Sequence, residues 1–166
     1  MFNILSLPDM FHRRTFGIKD TDGVYPALAA GEPVEVKYDS VTADDLINVL
    51  ADKAMPTGIP WLVFSDVGGT NSARNRRWDT EATGKATVVR GAGLEFETDL
   101  FTGDIEGLVY GAPLVPVGSD EDGTLWRLAV AGELSFATVD RAPLADAADG
   151  GILKAVLLVV PVEVHA

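Results

Sequence analysis

The run Ile152–Val160 constrains the fold of this chain more than any other stretch of the sequence. Every residue in it except Lys154 is apolar, and leucine and valine predominate. A short apolar run rich in β-branched side chains is typical of a β-strand. A strand that is apolar on both faces has to be covered on both sides. The run therefore predicts the central strand of a β-sheet, with the preceding segments packed around it.

Apolar segments of strand length precede this run, and glycine, proline or aspartate bounds each of them. They span residues 108–117, 125–130 and 134–139. Such a pattern is typical of consecutive β-hairpins. We predict that the large side chains of these hairpins pack against the central strand. The predicted core residues are Trp126, Phe136, Val156 and Leu158.

The middle of the chain carries further strand patterns. Residues 34–38 alternate between apolar and charged side chains, and residues 94–100 do so most regularly. Alternation with a period of two is typical of a strand with one buried face, so the acidic face of 94–100 should meet water. Residues 59–64 and 86–89 are apolar runs that predict two more strands.

One helix is predicted, over residues 42–54. Ser40 or Thr42 can cap it, and Asp44 and Asp45 suit the positive end of a helix dipole. Pro56 ends it, because the residue before a proline disfavours the α conformation. The apolar residues at helical spacing are Leu46, Val49 and Leu50. This stripe should pack on the sheet.

These elements predict a mainly β fold, a single-domain β-barrel or β-sandwich with one packed helix over residues 23–166. Residues 1–22 precede it and have no clear period, because large apolar groups alternate irregularly with bases. An edge strand and loop packed on the same domain would explain them, and so would an extended arm that lies on a neighbour. We predict the arm. Its partner-binding residues would be Phe2, Phe11, Arg13, Arg14 and Phe16.

A second candidate contact lies in the polar, glycine-rich stretch after residue 67. Arg74, Arg76, Arg77 and Trp78 form a basic-aromatic cluster in an otherwise acidic chain. Arginine and tryptophan are favoured anchors at protein interfaces, so we predict that the cluster binds a partner. A solvated hairpin tip is the alternative.

Composition excludes several classes of function. The formal net charge is −12, which opposes general binding to nucleic acid or to an anionic membrane. The chain has no cysteine, so disulfides and cysteine-ligated zinc are excluded. No apolar run is long enough to span a membrane, and the first residues lack the basic leader of a signal peptide. We therefore expect the protein to be made in the cytoplasm.

No motif predicts a catalytic, metal or cofactor site. His12 and His165 have no serine, cysteine or carboxylate at a recognised motif spacing. The acidic turns 20–23 and 120–123 resemble fragments of a calcium loop, but they lack its glycine position and its downstream glutamate. We predict that the protein is not an enzyme and needs no cofactor.

The C-terminal pattern resembles the capsid decoration (cement) proteins of tailed phages. The segments that carry the resemblance are 107–114, 125–130, 137–139 and 150–158. The resemblance implies a non-enzymatic structural virion protein on the outer face of the head, made in the host cytoplasm. Its partners would be the major capsid protein and neighbouring copies of itself, as a dimer or trimer. A tail or head–tail connector protein and a small carbohydrate-binding or hydrolytic β-module remain the alternatives.

Overall fold

The structure, a computed structural model, describes residues 2–6, 12–18, 28–38, 45–48, 56–64, 85–103, 105–119, 123–143 and 151–165. Its described residues are mainly β, which confirms the predicted class. The strands are β1 Phe2–Ser6, β2 His12–Ile18, β3 Pro33–Tyr38, β4 Asp45–Asn48, β5 Trp61–Val63, β6 Lys85–Arg90, β7 Glu95–Thr98, β8 Pro113–Ser119, β9 Gly123–Leu128, β10 Leu134–Arg141 and β11 Leu153–Glu163. A single 3₁₀ turn, Ile105–Gly107, joins β7 to β8.

The strands form two sheets. The six-stranded sheet has the order β1-β7-β11-β10-β8-β9, and all its pairings are antiparallel. The five-stranded sheet has the order β2-β4-β3-β5-β6, and β6 pairs in turn with β2. Its only parallel pairing among the described strands joins β2 to β4.

The two sheets share one large hydrophobic core. Phe96, Trp126 and Phe136 are fully buried at its centre, and the rings of Phe96 and Trp126 lie 5.7 Å apart between centroids. Leu62 and Val89 of the five-stranded sheet enter the same core. A smaller cluster lies within the five-stranded sheet, formed by Leu28, Val34, Trp61, Val63, Ala86 and Val88. The predicted burial of Trp126 and Phe136 is therefore confirmed.

The central strand β11 buries only one face. Leu153, Ala155 and Leu157 are buried, whereas Val156 and Leu158 are half-buried. The prediction that Val156 and Leu158 belong to the buried core was wrong. Successive side chains of a strand point to opposite faces, so the run places them on the face away from the buried residues. The expectation that both faces of the run are covered fails for the same reason.

The predicted helix over 42–54 was wrong where the structure describes it. Asp45–Asn48 is a strand, which pairs with β3 on one side and with β2 on the other. Pairing with two neighbouring strands satisfies the backbone hydrogen bonds of this segment. Such tertiary contacts outweigh the local preference that its helical spacing indicates. The rest of the predicted helix lies outside the described residues.

The predicted N-terminal arm consists of strands in its described part. β1 pairs with β7 at the edge of the six-stranded sheet, and β2 pairs with β6 from His12 to Gly17. The Phe2 ring packs on Phe96, at 6.2 Å between centroids. The described part therefore pairs with its own domain, and contact of this segment with a neighbour stays a prediction. The edge-strand alternative explains them, because burial of the Phe2 ring stabilises β1 on its own domain.

Glu32 connects the two sheets through its carboxylate. Its side chain is only 3% exposed, and its two oxygens accept hydrogen bonds from the backbone amides of Ala29 (3.0 Å) and Thr124 (3.1 Å). Thr124 belongs to β9 of the six-stranded sheet, whereas the Glu32 backbone pairs with Val63 of β5. Burial raises the pKa of Glu32 above its ordinary value of 4.5, although the two amide hydrogen bonds oppose the shift.

Candidate partner-binding groove

An open groove of ≈ 370 Å³ lies where the end of β11 meets the five-stranded sheet. We call it the β11 groove. One wall is apolar and comes from β11, and the other comes from the start of β2 and the end of β6. Its lining residues are His12, Ile59, Arg90, Gly91, Ala92, Leu158, Val159, Val160 and Pro161.

The apolar wall exists because the register of β11 shifts against β10. Ser135 pairs with Val162 and Ala137 pairs with Leu157, so Phe136 alone stands opposite Leu158–Pro161. The pairing of β11 with β7 ends at Val156. Among the described residues, Leu158–Pro161 therefore has no register partner on either side. A bulge of this kind bends the strand and turns its side chains outward.

The turn between β6 and β7 holds the two walls together. The Gly93 amide donates a hydrogen bond to the Leu157 carbonyl (2.9 Å), and the Leu157 amide donates one to the Leu94 carbonyl (3.0 Å). These bonds fix Gly91 and Ala92 beside the start of the bulge. The groove therefore lies between elements that the sheet pairing holds in place.

The charged wall carries an arginine stacked on an aromatic ring. The Arg90 guanidinium carbon lies 4.4 Å from the centre of the Trp61 ring, and His12 lies opposite Arg90 in the β2–β6 register. Close by on β2, the Arg13 guanidinium carbon lies 4.5 Å from the centre of the Phe64 ring. Stacking on a ring stabilises a guanidinium without using its N–H donors, which stay available to a partner.

A smaller pocket of ≈ 100 Å³ adjoins the groove and shares Ile59 and Arg90 with it. Trp61 lines it too, and so does Glu35 of β3. The Glu35 carboxylate accepts hydrogen bonds from the backbone amide and the hydroxyl (2.8 Å) of Thr57. The Glu35 carboxylate thus holds the loop before β5 through hydrogen bonds.

Elsewhere on the six-stranded sheet, cations pair with carboxylates. Lys154 lies 2.6 Å from Asp140 and 3.4 Å from Glu95, and its hydrogen bond to Asp140 raises its pKa. Arg141 lies 2.9 Å from Glu97. These pairs join β7, β11 and β10 across the outer face. Charge complementarity is therefore satisfied within this sheet.

The β9–β10 hairpin is closed by a bidentate pair. Arg127 donates to both carboxylate oxygens of Glu133, at 2.8 and 2.7 Å, and the Val130 amide donates to the same carboxylate at 2.9 Å. The hydrogen bonds from Arg127 lower the pKa of Glu133, and the pKa of Arg127 is raised in turn. The pair holds the turn between the two strands.

The predicted partner-binding residues of the N-terminal segment lie in different surroundings. Phe2 packs on the core, whereas Arg13 and Arg14 are exposed on β2. Phe16 also belongs to β2, and Phe11 lies outside the described residues. Among the described side chains, Phe2 therefore faces the core of its own domain, whereas Arg13 and Arg14 face outward.

The basic-aromatic cluster Arg74, Arg76, Arg77 and Trp78 lies outside the described residues. Its role in binding a partner stays a prediction. The structure instead draws attention to groove residues that the sequence analysis did not single out, namely Trp61, Arg90, Val159, Val160 and Pro161. Pro161 was the available signal, because a proline cannot donate a ladder hydrogen bond and marks an edge or a bulge.

Comparisons with known proteins give no relative from which a function could be carried over. No family model, curated protein or solved structure matches the chain. In the part of the chain that the structure describes, no histidine, cysteine and carboxylate group of three or more could hold a metal ion. Within the same residues, no helix has the length and apolar character that a membrane span requires.

Proposed function

We propose that this protein is a non-enzymatic structural protein of a tailed-phage virion that binds the outer surface of the head and stabilises contacts between major capsid subunits. Its C-terminal pattern of strands resembles the decoration proteins of such heads. In this proposal its two packed sheets form a sandwich, and the β11 groove faces the shell.

The observation that carries the proposal is the exposed apolar bulge of β11. Val159 is 75% exposed and Val160 is 60% exposed, and they stand beside Arg90 and His12. Isolated surface valines need no explanation, but adjacent apolar side chains next to a stacked arginine form the kind of patch that protein interfaces use.

Single contacts of this kind are weak. Full burial of a valine side chain contributes about 1.5–3 kcal/mol, and an exposed ion pair contributes about 0–1 kcal/mol. A decoration protein binds a lattice on which the same contact repeats. Weak contacts then sum through multivalency, provided that several copies or several sites engage together. The small volume of the groove, ≈ 370 Å³, is consistent with this mode of binding.

The test is cosedimentation of the protein with undecorated heads, assembled from the major capsid protein that is encoded in the same genome as this chain. The variant Val159→Ser/Val160→Ser changes only exposed side chains, so we expect an unchanged melting temperature and a clear loss of sedimenting protein. Val109→Ser/Tyr110→Ser is the matched control, because these residues are 59% and 81% exposed at a turn outside the groove. Equal sedimentation of both variants and the wild type would contradict the proposal.

The predicted arginine cluster is tested in the same assay. Replacement of Arg74, Arg76 and Arg77 by serine should weaken binding more at low salt than at moderate salt, if the cluster contributes ionic contacts. Among the alternatives, a carbohydrate-binding module has no support from Trp61. This ring is only 9% exposed and lies under Arg90, so it offers no free face to a sugar.

A further inference from the structure

We propose that the β11 groove binds an extended acidic segment of the partner protein, which adds to the unpaired edge at Leu158–Pro161 and places a carboxylate on Arg90. The inference deepens the proposed docking function, because it states the chemistry of what the groove takes. Three features of the groove support it: the sign of its charge, the preorganisation of Arg90 and the gap in strand pairing at the bulge.

The charge of the groove opposes that of the chain. The formal net charge of the protein is −12, yet the groove is lined by the bases His12 and Arg90 and by no carboxylate. Every other residue of its lining is apolar or glycine. An acidic ligand gains electrostatic attraction at this position, while a basic one would be attracted to the rest of the surface.

Arg90 is held in place but keeps its hydrogen-bond donors. Trp61 lies under the guanidinium at 4.4 Å, and among the described residues no carboxylate pairs with Arg90. A planar guanidinium presents two parallel N–H groups that match the two oxygens of a carboxylate. Because the ring already restricts the side chain, less conformational entropy is lost when the carboxylate binds.

The bulge supplies the backbone for an added strand. Leu158–Pro161 has no register partner among the described residues, and Val159 and Val160 are exposed there. An extended peptide can pair with such an edge through its main chain while alternate side chains enter the groove. Pro161 cannot donate, so pairing is limited to a short segment. The expected ligand therefore alternates apolar and acidic side chains over a few residues.

The experiment titrates the whole chain with a capped peptide in which glutamate and valine alternate, flanked by serines for solubility. The comparison peptide has glutamine in place of every glutamate. We expect amide shifts in the nuclear magnetic resonance spectrum at residues 90–92 and 158–160, and binding of the glutamine peptide weaker by about tenfold or more, as the loss of charge-assisted hydrogen bonds implies.

The variant Arg90→Gln should abolish the preference for the glutamate peptide. Arg14→Gln is the control, because Arg14 is exposed on β2 but does not line the groove. It should bind as the wild type does. Equal binding of the two peptides, shifts elsewhere, or no binding at all would overturn the inference. Concentration-dependent dimerisation through the same residues, measured by sedimentation velocity, would overturn it too, because a second copy would then be the occupant.

Failure of this inference and failure of the proposed function give different results. If heads capture the wild type and Arg90→Gln equally while the peptides do not bind, the groove does not bind an acidic segment. The proposed docking function is then unaffected. If the glutamate peptide binds at the groove but heads capture no protein, the groove chemistry stands and the virion role is wrong.

Discussion

The two sheets of this protein use their cations in opposite ways. In the six-stranded sheet, Arg127, Arg141 and Lys154 each pair with a carboxylate of a neighbouring strand or turn. In the five-stranded sheet, Arg13 and Arg90 lie on aromatic rings, and among the described residues they have no carboxylate partner. The first sheet therefore uses these cations to hold strands together, whereas Arg13 and Arg90 of the second are held by aromatic rings.

The two sheets also differ in the size of the side chains that they bury. The six-stranded sheet contributes Phe96, Trp126 and Phe136 to the large shared core, whereas the cluster within the five-stranded sheet has mostly small side chains around Trp61. Since burial of apolar area is the main favourable contribution to folding, stability should depend most on the six-stranded sheet. Binding should depend most on the edge where the two meet.

The largest expected loss of stability comes from truncating a side chain in the core of the six-stranded sheet. Phe136→Ala should cost about 3–5 kcal/mol, because the side chain is fully buried opposite the bulge of β11. Val88→Ala, in the smaller cluster, should cost about 2 kcal/mol, for two methyl groups. Urea denaturation measures both. Equal costs would contradict the unequal division of stability between the two sheets.

The next effect tests whether the N-terminal strand belongs to the fold. Phe2→Ala should cost about 2–3 kcal/mol, because the ring packs on Phe96 and is partly buried. Leu5→Ala, at a side chain 44% exposed on the same strand, should cost less than about 1 kcal/mol. If neither change altered the melting temperature, β1 would contribute nothing to stability and the arm hypothesis would regain support.

The connection between the sheets should depend on pH. The folded state raises the pKa of Glu32, so the folded protein binds its proton more tightly than the unfolded chain does. Its contribution is therefore fully present below pH 4.5 and is lost as pH rises through the folded pKa. Glu32→Gln cannot titrate, so wild type should lose stability relative to this variant as pH rises.

The contribution of Glu133 to stability should depend on pH with the opposite sign, and it is the smallest of the expected effects. Its pKa is lowered by Arg127, so its contribution is present above its ordinary pKa of 4.5 and is lost as pH falls. Glu133→Gln should cost about 1 kcal/mol at neutral pH and nothing in acid, because the pair is near the surface. Denaturation of both glutamine variants from acid to neutral pH measures the two signs. The same sign for both would show that the assigned causes are wrong.

Much of the six-stranded sheet follows from local patterns in the sequence. The alternation of Leu94, Phe96 and Thr98 with acids puts those three side chains on the buried face, and the structure confirms it. The hairpins over 113–141 were also predicted, because glycine and aspartate mark their turns. Such features depend only on period and turn chemistry, which a single sequence displays.

Local patterns also predicted β3, β5 and β6 of the five-stranded sheet, but β4 and the groove depend on contacts that a single sequence does not display. Leu46 and Val49 have helical spacing, but the strand at 45–48 is decided by pairing with β2 and β3. The bulge of β11 arises from a register shift against β10, and the stack of Arg90 on Trp61 follows from the pairing of β5 with β6. Long-range pairing fixed each of these features, so local sequence patterns did not single out the groove residues.

The most direct test of the account is hydrogen–deuterium exchange of the chain, free and bound to undecorated heads. The proposed contact is the β11 groove, so binding should slow exchange of the amides in 158–160 and 90–92. Amides at the turn around Val109 and Tyr110, which are exposed but outside the groove, should exchange as they do in the free protein. Protection at that turn with no change in the groove would contradict the account.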